Sequence, residues 1–139
     1  MRSMSTVRKM LALVFVLCMM AAPAFAADPI RIGEIATVTG DFAAYGVAEV
    51  ESVKIAVAEI NAAGGILGRP VEVIMYDCRT RQEDMVNAAR RLVEQDKVSV
   101  VIGPSGSGLC IAAAPVFNRA KVPHIGTLPT NPQIGRAHV

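Results

Sequence analysis

Four short runs rich in Val and Ile, alternating with helical patterns, constrain this chain more than any other feature. Ile30-Arg31-Ile32-Gly33-Glu34-Ile35-Ala36 reads as a strand, and residues 37–46, rich in glycine and threonine, read as a loop. From residue 44 to about 63, Val47, Val50, Val53, Val57 and Ile60 recur at three- and four-residue steps, with Glu49, Glu51 and Glu59 between them. That spacing predicts an amphipathic helix, stopped by Gly64-Gly65. Gly68-Arg69-Pro70 turns the chain into a second strand over residues 71–76. Thr80 and Glu83 have the spacing of a capping box, and Val86, Ala89, Leu92 and Val93 give the following helix an apolar stripe. Residues 98–102 predict a third strand, and a third helix, bent at Pro115, runs to about Ala120. Residues 122–125 predict a fourth strand. Such alternation requires crossover connections, and the expected fold class is therefore α/β: an open, doubly wound parallel sheet covered on both faces.

In sheets of this kind, ligands sit beyond the carboxyl ends of the strands. Those ends correspond to residues 37–46, 77–80, 103–108 and 126–132. In the third, Gly103-Pro104-Ser105-Gly106-Ser107-Gly108 leads into a helix, where free N–H groups and the helix dipole favour an anion. Ser107 is either a donor to a carboxylate or phosphate or an ordinary N-cap, and the residues alone leave both readings open. In the last loop, Thr127-Leu128-Pro129-Thr130-Asn131-Pro132, the prolines restrict the backbone and hold hydroxyl and carbonyl groups in fixed directions. Tyr45 is the aromatic residue at this rim.

Other chemistries fit poorly. Gly33, Gly40 and Gly46 are too widely spaced for a dinucleotide fingerprint, and Asp77 at the end of the second strand reads as a solvated turn residue. No Gly-Lys-Ser/Thr follows the glycine cluster, and neither Ser105 nor Ser107 has the flanking glycines of a nucleophile elbow. His124 reads as a partly buried strand residue. No cofactor, metal-ligand spacing or catalytic constellation is expected, so the chain is not read as an enzyme.

The amino terminus has the pattern of an export signal. Arg2, Arg8 and Lys9 precede an uncharged apolar run from Leu11 to Ala22, and Ala24-Phe25-Ala26 supplies small residues for cleavage after Ala26. The run is shorter than the roughly 20 residues that cross a bilayer, and Leu17 is bulky for a lipoprotein site at Cys18. Removing Arg2, Arg8 and Lys9 takes the net charge from +2 to −1, which offers no electrostatic basis for nucleic-acid binding. The mature chain is expected to be exported from the cytoplasm. Cys78 and Cys110 remain, as one disulfide or as two buried thiols.

Gly40-Asp41-Phe42-Ala43-Ala44-Tyr45-Gly46, the run Ala58 to Gly68, Tyr76-Asp77, Ala88 to Lys97, Val101-Ile102-Gly103-Pro104 and Thr130-Asn131-Pro132 together carry a resemblance. In this order and spacing they resemble the periplasmic leucine/isoleucine/valine-binding protein family, the substrate-binding components of ABC importers. The resemblance implies a type I periplasmic-binding-protein fold, whose two α/β lobes close about a hinge on a small amino acid and deliver it to a membrane permease. It implies that residues 1–26 are the signal peptide, that residues 27–139 are a truncated first lobe, and that the expected location is the periplasm. By position, Ser107 corresponds to the serine holding the ligand carboxylate, and Thr130 to a threonine holding both polar groups. Leu128 falls where a backbone carbonyl meets the ammonium, and Tyr45 where an aromatic ring flanks the side chain. Leu128-Pro129 departs from the family's usual Ser-Ala-Thr-Asn-Pro stretch. Some members carry a disulfide between the loops after the second and third strands; Cys78 lies near the first of these, but Cys110 is displaced into the helix. The resemblance leaves the identity of the amino acid, branched-chain or related amide, open. A ligand-sensing domain of a receptor or sensor kinase on the same fold is the alternative reading. Residues 134–139 resemble a translated sequencing adapter, and His138 is then without a role.

Overall fold

A computed structural model describes residues 28–134; the expected signal segment and residues 135–139 lie outside them. Seven elements follow in order: β1 (Ile30–Ala36), α1 (Ala43–Ala62), β2 (Val71–Asp77), α2 (Gln82–Glu94), β3 (Val100–Ile102), α3 (Ser107–Ala120) and β4 (His124–Ile125). All neighbouring strands are parallel, in the order β2-β1-β3-β4, with Ile32 opposite both Val73 and Val100. The chain thus leaves β1 to one side for β2 and returns across it for β3. Right-handed crossovers with that reversal put α1 on one face and α2 with α3 on the other, and α2 and α3 pack against each other. The α/β, doubly wound expectation holds. Among the described residues no helix is long and apolar enough to cross a membrane.

The core lies on the α2/α3 face. Ile35, Val101, Met85, Leu92 and Phe117 are buried there, each contributing about 1.5–3 kcal/mol through removal from water. Alternation along β1 sends Ile35 into this core and Glu34 to the α1 face. The α1 face is thinner. Of the apolar stripe read from the sequence only Val50 is buried, and Val47 is 50% exposed. α1 covers only β1 and β2 beneath it, so periodicity set the helix while neighbours set how much of its stripe is covered. Its carboxyl end is fixed by Asn61, whose side chain donates to the Val71 carbonyl at 2.9 Å and accepts from the Val71 N–H at 2.8 Å.

Two local expectations are corrected, and one open alternative is decided. The Thr80–Glu83 capping box does not form: α2 has Arg81 at its N-cap and no side-chain cap. Thr80 instead donates to the Thr39 carbonyl at 3.2 Å and accepts from the Phe42 N–H at 3.4 Å, its hydroxyl being taken by the loop after β1. The third and fourth strands are shorter than read, because ladder pairing extends only over Val100–Ile102 and His124–Ile125. The disulfide considered for Cys78 and Cys110 is absent; both are buried free thiols, with Cys110 Sγ directed at the Pro104 carbonyl at 3.6 Å.

The first turn of α1 rests directly on the loop after β1. Gly46 is buried, and a Cβ there would overlap the Thr37 backbone carbonyl. Backbone cannot yield as a side-chain tip does. We expect Gly46→Ala to lower unfolding free energy by about 1–3 kcal/mol, measured by urea denaturation, and to displace Tyr45 beside it.

Candidate ligand-binding cleft

The order β2-β1-β3-β4 separates the loops after β1 and β3, which leave the sheet edge in different directions and open a crevice between them. The loop after β1 is tied down by its neighbour. Asp77 accepts from Thr39 Oγ1 at 2.6 Å and from the Arg79 N–H at 2.9 Å, and Thr80 holds the same loop. Burial alone would raise the Asp77 pKa, but these hydrogen bonds outweigh it and hold the carboxyl below its usual range. Asp77 is therefore a loop fastener rather than a free turn residue.

The four residues singled out from the sequence line one recess of about 390 Å³. Tyr45, Ser107, Leu128 and Thr130 meet there with Phe42 and Ser105. Ser107 is the first residue of α3, one place inside the N-cap Gly106, so it is not the N-cap itself. Its Oγ accepts from the Thr130 N–H at 3.1 Å and the Asn131 N–H at 3.2 Å. With both lone pairs engaged, its own proton is left to donate. Tyr45 is 58% exposed and stands edge-on to Phe42, with ring centroids 6.4 Å apart. Leu128 is exposed to the same degree. These groups form one wall of a polar-and-apolar crevice.

A second recess of about 620 Å³ adjoins the first, sharing Tyr45, Ser105 and Leu128, and adds Glu49, Ser52 and Thr127. Glu49 Oε2 accepts from Ser105 Oγ at 3.1 Å, and Ser105 Oγ lies 3.2 Å from Thr127 Oγ1. Burial pushes the Glu49 pKa up, against the hydrogen bonds from Ser105 and Thr127. Sequence reading placed Glu49 only among the acidic residues between the apolar positions of the first helix. Its position one turn after Tyr45 was the available signal, since residues four apart share a helix face. Ser105 was noted only as a failed nucleophile, and Thr127 only as part of a hydroxyl-rich loop.

Glu34 lies beneath Glu49 and is 1% exposed. Burial first, then the Glu49 charge, raise its pKa to about 7, with Lys54 acting in the opposite sense. His124 is half-buried as expected. Its Nε2 pairs with the Gly103 carbonyl, its ring packs on Phe117 at 4.6 Å, and burial holds its pKa down. Burial also raises the Cys78 and Cys110 thiols to about 11, so neither is a reactive thiolate at neutral pH.

Residues 29–138 match the sequence pattern of the periplasmic binding protein family. An amino acid binding protein of Pseudomonas aeruginosa is 35% identical over 103 residues, which are 74% of this chain and 28% of that protein. The Leu/Ile/Val-binding protein BraC3 of Rhizobium johnstonii is 41% identical over 96 residues, 69% of this chain and 26% of that one. Among solved structures, the branched-chain amino acid transporter substrate binding protein LivJ of Streptococcus pneumoniae, in complex with isoleucine, superposes with a TM-score of 0.74. It is 40% identical, covering 76% of this chain and 30% of that one. The chain thus spans little more than a quarter of the length of the curated relatives it matches.

Glu34 gives a pH signature. Its folded pKa of about 7 lies above the ordinary 4.5, so the folded state holds its proton more tightly. That stabilisation is fully present below pH 4.5 and is lost as pH rises through 7, roughly 3 kcal/mol in all. Urea denaturation at pH 5 and pH 8 is expected to show lower stability at pH 8 from this group, and Glu34→Gln to shrink the difference.

Proposed function

The chain belongs to the periplasmic binding protein family, and from that premise we propose that it is the ligand-capturing part of an ABC importer, exported to the periplasm. There it takes up an amino acid, of the branched-chain type or a related amide, and passes it to a membrane permease. The observation that carries the reading is the orientation of Ser107. A hydroxyl that accepts from two backbone N–H groups has only its proton to offer, and it does so at the first turn of α3, where free N–H groups favour negative charge. A carboxylate is the matching guest. The solved relative with isoleucine supports an amino acid as the bearer of that carboxylate.

Each site residue then has a task. Ser107 holds the carboxylate, Thr130 helps hold both polar groups, the Leu128 carbonyl accepts from the ammonium, and Tyr45 flanks the side chain. Closure follows from differential contact: a ligand touching two lobes stabilises the closed arrangement only by the contacts the open one lacks. The relatives' greater length supports a second lobe as the other jaw.

Calorimetry with leucine and isoleucine on the protein expressed from its whole gene tests the reading. Ser107→Ala removes one hydrogen bond to a charged group, worth about 1.5–3 kcal/mol, and should weaken binding about 10- to 100-fold. Unchanged affinity overturns the role of Ser107. Mass spectrometry of the exported protein is expected to find Ala27 at its amino terminus, as cleavage after Ala26 requires.

A further inference from the structure

Phe42 is ill-matched to its place in the fold. It stands at the N-cap of α1, where a side-chain oxygen would ordinarily accept from first-turn N–H groups, and a phenyl ring has none to offer. Nor does burial account for it, since the residue is 39% exposed. Residues that break a local rule without gaining burial mark functional positions. The Phe42 backbone is nonetheless held from three sides. Its N–H donates to Thr80 Oγ1 at 3.4 Å. Its carbonyl accepts from Thr37 Oγ1 at 3.3 Å and from the Tyr45 and Gly46 N–H groups, each at 3.0 Å. From this fixed base the ring reaches towards α3, its Cε2 lying 3.7 Å from where a Cβ on the N-cap Gly106 would stand. Tyr45 stands edge-on to the same ring. The ring thus bridges the start of α1 and the start of α3, and it lines the recess that contains Ser107.

We propose that Phe42 is a specificity-determining residue of the cleft, its ring forming with Tyr45 and Leu128 an apolar seat for the hydrocarbon side chain of an amino acid held at Ser107. This rests on the amino-acid reading of that recess. The seat is open, because Tyr45 and Leu128 are each 58% exposed. The serines beside it are already engaged: Ser105 donates to Glu49, and the Ser107 oxygen accepts from two backbone N–H groups. The Ser107 proton goes to the carboxylate, and Thr130 to the ligand's two polar groups. A polar side-chain end laid on this wall would give up water and regain no hydrogen bond. A hydrocarbon end instead releases water from three exposed apolar side chains, which favours binding.

The test is calorimetry at neutral pH on the protein expressed from its whole gene, with leucine, alanine and glutamine as probes. Leucine and alanine share a carboxylate and an ammonium and differ only in hydrocarbon. Leucine is expected to bind at least about tenfold more tightly than either of the others. Phe42→Ala should weaken leucine about tenfold or more and leave alanine little changed, whereas Phe42→Leu, which keeps an apolar side chain, should retain most of the preference. A folding defect would weaken both ligands alike and leave their ratio untouched. An unchanged leucine-to-alanine ratio in Phe42→Ala therefore overturns the role of Phe42 and leaves amino-acid capture standing. So does a wild-type protein that binds alanine or glutamine as tightly as leucine. If none of the three binds, the amino-acid reading itself falls and the seat falls with it.

Discussion

The reversal of chain direction at β1 is the constraint on which the rest depends. β2 and β3 flank β1 on opposite sides, so the connections after β1 and β3 must diverge. A crevice opens between them without any residue being spent on making it. The crossovers also send α1 to one face, which is why Tyr45 and Glu49, one helical turn apart, reach the crevice from one side. Ser105 and Ser107 reach it from the other. Close backbone approach supports the arrangement: Gly46 lets α1 rest on Thr37, and Gly103 leaves room for Glu49 against the end of β1.

Hydroxyl groups in this crevice take their roles from their neighbours. Ser107 faces two backbone N–H donors and is left with a proton, whereas Ser105 faces a carboxylate and surrenders its proton. Two residues apart in the chain and identical in chemistry, they present opposite ends of the same group.

Much of the architecture was legible before any coordinates. The strand and helix runs showed their periods plainly, and the glycine pair after α1 and the glycine–serine loop before α3 marked the boundaries. Thr80 illustrates where local reading stops. Its spacing to Glu83 is that of a capping box, yet the loop after β1, 41 residues distant at Thr39, competes for the same hydroxyl and takes it. The valine stripe of α1 likewise predicted a helix, but how much of the stripe is covered depends on partners that the helix itself does not specify.

The sequence by itself determined the α/β class, the order of elements and the clustering of Tyr45, Ser107, Leu128 and Thr130 at strand ends, since these follow from local periodicity and from position along each strand. Only the tertiary structure decided that Glu49 lines the second recess, that Glu34 lies buried beneath it, and which groups each hydroxyl faces. Those properties depend on groups brought together across 56 residues from Glu49 to Ser105. Charge and hydrogen-bond direction are set by what surrounds a residue in space.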